Sequence, residues 1–295
     1  MLVTTLSARE VSQRTDAHVA RVAELLGQHP QTTPAGEPHP VWQFLFRYYS
    51  HKPSQLRRWH PGHGIAIATP AAHTHYPHYE PSNGGVAVTV SRAHLATRAR
   101  TVAFVADLLH STSRRPARLN CFGAHEWAMV YRAPAETLRH RAPLRLSPTD
   151  TDAAVESIGL RCTHFDAFRF FTADAVPRNA AVLTRDTQPA SEQPGCLHAG
   201  MDLYKWAHKL SPLICSDLVV DALTVAFDLR ELDMRASPYD FEDLGLSPIT
   251  IETAAGRAEY VRLQVETTRR AAAVRADLMQ ACESLLRTIR AENLP

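Results

Sequence analysis

No apolar run in this 295-residue sequence approaches the length of a membrane-spanning helix. The opening stretch, MLVTTLSAREVSQRTDAHVA, lacks a basic segment followed by an apolar one, which argues against a secretory signal. An excess of charge is missing too. The 32 basic and 30 acidic residues leave a formal charge of +2, so no molecule-wide field draws the chain to nucleic acid. The five cysteines, Cys121, Cys162, Cys196, Cys215 and Cys282, form no CxxC pair. That spacing speaks against a zinc knuckle or an iron–sulfur site, and suits a reducing cytosol. No internal repeat or low-complexity linker divides the chain. The expectation is one cytoplasmic globular domain over residues 1–295, with no membrane partner.

Hydrophobic residues make up 45% of the chain, enough for a sizeable core. Their periodicity is mostly helical. Val11, Val19, Val22 and Leu26 mark a helix over 8–27, and Leu95, Ala99, Val102, Ala106 and Leu109 mark one over about 93–111. Pro40 is placed to start a short helix rich in aromatic residues. The spacing predicts further helices at about 151–157, 197–210 and 216–235. A long helix or helix pair follows over 254–291, with Val274, Leu278, Cys282, Leu285 and Ile289 on one stripe. Weak alternation predicts pairing strands at 65–69 and 85–90, and the segments 159–172 and 248–253 also read as strands. Long loops are expected at 28–39, 70–84 and 173–196. The fold class is mainly α, with a helical core and a few short β-strands.

Chemistry-bearing residues gather in a few segments. Within QPGCLHAGMDLYKWAHKL, a helix puts His198, Asp202, Lys205 and Lys209 on one face. Leu203, Trp206 and Leu210 then form the opposite, buried face. In RCTHFDAFRFF, a strand would align Cys162, His164, Asp166 and Phe168. In CFGAHEWAMVYR, His125 and Glu126 adjoin, and burial beside Trp127 and Phe122 would raise the Glu126 pKa toward general acid–base use. His164 and Asp166 supply two metal ligands, and His198 or His125 are the obvious further donors, for iron or zinc. RRWHPGHG offers Arg57, Arg58 and Trp59 for holding a phosphate and stacking a base. Most acids of DLRELDMRASPYD read as helix-end ion pairs, with one of them free to orient a site histidine or lysine.

The segments HPVWQFLFRYYSHKPSQLRRWHPGHG, CFGAHEWAMVYR, RCTHFDAFRFF, QPGCLHAGMDLYKWAHKLSPL and ELDMRASPYD together resemble a bacterial, mainly actinobacterial family carrying the label 3-methyladenine DNA glycosylase. The resemblance covers roughly residues 38–285. It implies one fold for all five segments and an N-glycosidic hydrolase that removes a damaged base. Neither the helix-hairpin-helix pattern nor the N-terminal pattern of zinc-containing alkyladenine glycosylases is present, so no catalytic residue carries over from those enzymes.

Four functions follow from these residues. A glycosylase would stack a damaged nucleobase on Trp59, Trp127 or Trp206, contact phosphate through Arg57, Arg58, Lys205 and Lys209, and activate water with Asp166, Asp202 or Glu126. A metal-dependent enzyme would act on a small molecule through a pocket built from 161–169 and 196–205, with His125 or Glu126 nearby. Lys205 would there reach the outer, anionic part of the substrate. A thiol enzyme would pair Cys196 or Cys162 with His198 or His164. A non-catalytic binding protein is the fourth reading.

Overall fold

Ser7 starts the first helix. Its hydroxyl accepts from the Glu10 backbone N–H while the Glu10 carboxylate accepts from the Ser7 N–H, a reciprocal cap that satisfies two donors left over at a helix start. The computed structural model describes residues 4–134 and 142–292. Its helices are α1 (Ala8–Gln28), α2 (Trp42–Tyr48), α3 (Pro53–Leu56), α4 (Arg92–Ser113), α5 (Ala124–Ala128), α6 (Pro148–Ile158), α7 (Phe165–Phe168), α8 (Gln188–Ser191), α9 (Leu197–Leu210), α10 (Ser216–Arg235) and α11 (Ala254–Ala291). The strands are β1 (Thr4–Leu6), β2 (Ile65–Ala68), β3 (Tyr79–Ser82) and β4 (Ala87–Val90).

The strands form one small sheet in the order β1-β2-β4-β3. β1 runs parallel to β2, and β4 pairs antiparallel with both β2 and β3. Pairing of β2 with β4 follows the alternation of their sequences. β1 and β3 carry too few alternating residues to announce themselves, and β3 lies in the segment expected to be a loop at 70–84. Leu6, Val11, Trp59, Ile67 and Val88 make a small apolar cluster between the sheet and α1. The rest of the core is helical, and the whole is a single domain, mainly α.

α9 and α10 form the centre, packed tightly against each other, with α11 and α4 on the outside. Every residue of the predicted stripe on α11, from Val274 to Ile289, is buried. Gly200 sets the closeness of the central pair: a Cβ placed there would come within 2.4 Å of the Leu229 Cδ1. A β-branched residue adds still more volume at a contact with no slack. Gly200→Val should cost about 1–3 kcal/mol through overpacking, seen as a lower urea midpoint. An unchanged midpoint would mean that Leu229 swings aside freely.

Three sequence expectations change. Residues 159–172 are not a strand. Leu160 makes one isolated parallel bridge to Asn179, and the Asn179 side chain accepts from Cys162 N–H and donates to Cys162 C=O. That amide imitates a neighbouring strand, and the chain then turns into α7. Residues 248–253 are irregular and lead to Thr253, which caps α11. The helix expected at about 151–157 starts earlier and runs over 148–158, capped by Ser147 with Pro148 in its first turn.

Candidate functional site

The centre of the molecule holds an unusual amount of buried charge. His125, Glu126, His164, Asp166, Glu192, Asp202, Lys205, Arg230 and Asp233 are all buried. Local structure in several elements puts them there. α5 is a single buried turn, entered through two residues in the left-handed region, Phe122 (φ 50°) and Gly123 (φ 70°). This reversal drives His125 and Glu126 inward. On α9 the predicted stripe is present, but both faces of the helix are buried, so Asp202 and Lys205 are interior residues. On α10, Arg230 and Asp233 continue a buried row that includes Leu223, Ala226 and Phe227. Glu192 follows α8, where Arg115 donates to the Glu192 and Pro189 carbonyls and Gln188 donates to the Glu192 carboxylate.

Two groups of ligand-type atoms result. In one, His125, His198 and Asp233 bring their donor atoms within 4.8 Å of one another. In the other, His164, Glu192 and Asp202 do the same. His198 links them: its ring lies 4.4 Å from that of His125 and 5.3 Å from that of His164. His164 and His198 therefore share one neighbourhood, with Asp166 and Asp202 joined to it through Lys205.

The groups differ in how their charges are met. His164 Nε2 lies 3.2 Å from Glu192 Oε1 and 3.4 Å from Asp202 Oδ2. Lys205 Nζ donates to that same Asp202 oxygen at 2.6 Å and to Asp166 at 3.0 Å, and Tyr49 donates to the other Asp202 oxygen at 2.8 Å. Arg185 and Arg169 flank Asp166. Burial disfavours the charged form of His164, but Glu192 and Asp202 outweigh it and raise its pKa to about 10. Burial likewise opposes ionisation of Asp202, yet Lys205 and His164 hold it well below the usual carboxylate range. This group is a network of cations and carboxylates, in which neither ring nitrogen of His164 makes a hydrogen bond of acceptable direction.

In the first group, Asp233 Oδ1 stands 2.9 Å from His125 Nε2. Neither atom has a hydrogen bond of acceptable direction, although both are fully buried. The other Asp233 oxygen is held by Arg230 Nη1 at 3.1 Å. Burial works against a charge on His125, but Asp233 prevails and raises its pKa. Burial and then His125 drive His198 well below the usual histidine range, so it is neutral with a lone pair to give. Two ligands each about 2.1 Å from one ion stand about 3.0–3.4 Å apart at octahedral or tetrahedral angles. The 2.9 Å approach of the unaligned partners lies just short of the octahedral end of that range.

A small cavity of about 10 Å³ touches His125 and His198 and is also lined by Cys121, Cys162 and Cys196, room for about one water. Burial pushes the Cys162 thiol up to about 12, and it raises Cys121 and Cys196 as well. At neutral pH these thiols keep their protons. That removes the nucleophile required by the thiol-enzyme reading.

Other sequence candidates fall elsewhere. Arg57, Arg58 and Trp59 line a cleft of about 260 Å³ between α1 and the sheet, whose lining shares no residue with either histidine group. Trp206 packs edge-on to Phe104 beneath the Lys205 and Lys209 ammonium groups. Lys205 is not poised toward an outer substrate position, because its ammonium is already bound to two carboxylates. Sequence reasoning did not single out Glu192, Tyr49 or Arg230, and it read Asp233 among helix-end pairs. Asp233 is instead wholly buried. The available signal was helical phase, since 223, 226, 230 and 233 recur at steps of three and four.

Comparison of the chain with protein-family models, with curated proteins and with solved structures gives no match. Among the described residues, no helix is long and apolar enough to cross a membrane.

Proposed function

We propose that this protein is a metal-dependent enzyme acting on a small molecule, with the ion held by His125, His198 and Asp233. The observation that carries this reading is the pair of buried, unaligned ligand atoms of His125 and Asp233, with a neutral His198 beside them. Two imidazoles and one carboxylate form a donor set used by catalytic zinc and by non-haem iron(II), and both leave coordination positions open for water or substrate. Arg230 fixes the far oxygen of Asp233, the kind of outer support that orients a metal ligand. An ion here would act as a Lewis acid toward a bound oxygen. His164, kept protonated by Glu192 and Asp202, would stand next to His198 as a proton donor.

The deciding experiment is elemental analysis of untagged protein purified without chelator. About one equivalent of iron or zinc per chain is the expected result. Metal-free, fully folded and active protein would end the proposal. A second outcome follows from the raised pKa of His125. At about pH 6 the metal-free chain carries a proton there, and coordination must displace it. Adding the ion to metal-free protein in weak buffer should release about one proton per ion bound. Affinity should rise with pH until that proton is gone. Binding without proton release would remove His125 from the ligand set.

The N-glycosidic reading needs an aromatic wall and phosphate contacts beside its carboxylates. Arg57, Arg58 and Trp59 lie in a cleft that Asp166 and Asp202 do not line, Trp127 and Trp206 are buried in the core, and the Lys205 ammonium is already bound to two carboxylates, so the metal reading has the better support.

A further inference from the structure

Arg115, Arg118 and Arg161 line an open cleft of about 790 Å³ whose lining, among the described residues, includes no Asp or Glu. The Arg115 guanidinium donates to the Pro189 and Glu192 carbonyls at 2.7 and 2.8 Å, which flank Ala190 and Ser191 on the cleft wall. Arg161 is exposed, and its Nη1 donates to the Ile158 carbonyl at 3.3 Å. Arg118 is exposed too, and only its backbone is held, by the Gln193 side chain. None of the three meets a carboxylate of the described residues, so their charges add in one concave place. A cleft lined by one sign of charge focuses its field into the opening and draws anions, the more strongly the higher their charge.

The cleft adjoins the proposed metal centre. Arg161, Cys162 and Thr163 line both the cleft and the cavity of about 10 Å³ that touches His125 and His198, so this short segment stands between the two. Gln193 accepts from the Arg118 N–H at 2.7 Å and ties the cleft rim to the chain just ahead of α9, the helix that carries His198. Of the three proposed ligands, His125 and Asp233 are buried and His198 is only partly so. The volume suits a small organic molecule. Leu119 and Leu183 supply aliphatic wall, and no aromatic ring lines the cleft on which an extruded base could stack.

We infer that this cleft is the entrance to the metal centre and that the substrate is a small aliphatic molecule bearing a dianionic group, such as a phosphate ester. The inference rests on the metal reading for its catalytic meaning, whereas anion binding by the cleft does not need the ion.

Butyl phosphate serves as the probe, valerate as the monoanion and butanol as the neutral molecule, each titrated calorimetrically into the full chain. Butyl phosphate should bind saturably, valerate about threefold or more weaker and butanol at least about tenfold weaker. Reversing two charges with Arg118→Glu and Arg161→Glu together should weaken butyl phosphate about tenfold or more. Should that pair not fold, Arg118→Glu alone should weaken it about threefold or more, since the Arg118 side chain holds nothing in place. Arg57→Glu, in the cleft beside the sheet, should change nothing. Valerate or butanol binding as tightly as butyl phosphate, indifference of butyl phosphate to Arg118→Glu, loss of its binding in Arg57→Glu, or tighter binding of a short single-stranded oligonucleotide would overturn the inference. The route to the ion is read from the rate of metal removal. In metal-loaded protein the double variant should slow stripping by dianionic dipicolinate about tenfold or more and leave neutral phenanthroline unaffected. Equal slowing of both chelators, or of neither, would overturn the entrance. A protein that holds its ion but binds no butyl phosphate would end this inference and leave the metal reading standing. Metal-free native protein with arginine-dependent binding of butyl phosphate would do the reverse.

Discussion

His198→Ala should empty the metal site while leaving the fold intact. Of the three proposed ligands, His198 is neutral and makes no hydrogen bond or ion pair with the described residues, and the residue as a whole is only partly buried. Removing it strands no buried charge. His125 and Asp233 keep their 2.9 Å approach, and Arg230 keeps both its acids. The affinity for the ion should fall by at least about 100-fold, beyond the usual effect of losing an outer-shell partner. Dialysed protein should then contain almost no metal, while the helical circular dichroism spectrum and the thermal midpoint of the metal-free form stay close to wild type. Full retention of metal by this variant would exclude the His125–His198–Asp233 centre.

Asp202→Ala should do the opposite, costing stability before it costs chemistry. Lys205 and His164 both depend on Asp202, and both are buried. Truncation leaves an ammonium and an imidazolium with fewer counter-charges in the interior, a loss of about 3–5 kcal/mol. The effect has a defined pH window. The Asp202 pKa is depressed, so its contribution is present above the unfolded carboxylate value of about 3.9 and fades as pH falls toward the folded value. The His164 pKa is raised to about 10, so its contribution is whole below the unfolded histidine value of about 6.5 and is lost as pH climbs through the folded one. Urea denaturation of metal-free protein should therefore show the largest gap between wild type and Asp202→Ala at about pH 4–6.5. A gap that stays constant from about pH 3 to about pH 10 would mean that the network is not electrostatic.

The helices were legible because each has an apolar face at helical spacing, and α9, α10 and α11 fall where that spacing places them. His125, His164, His198, Asp202 and Lys205 were legible as an unusual cluster of residue types. What could not be read was which charges meet. The strand reading of 159–172 came from its phenylalanines, but Asn179, seventeen residues away, supplies the hydrogen bonds that a second strand would have made. Asp233 was hidden because Arg and Asp three apart on a helix most often form a surface pair. Only the packing of α5 and α9 over that face makes the pair interior. Glu192 lies in a stretch of proline and small polar residues, and its position depends on Arg115 and Gln188 from tertiary contacts that no periodicity encodes.

The three proposed ligands come from α5, α9 and α10, and no two of them are sequence neighbours. An unfolded chain offers them at random separations, and closing the loop from residue 125 to residue 233 costs entropy that a single ion–ligand bond does not return. Only the assembled core presents all three together. An ion held by these residues would thus be a ligand of the native state alone, and its free concentration would set part of the folding equilibrium. In a cell short of that metal the same polypeptide would be a less stable protein, with more of it open to proteases, before any question of turnover arises.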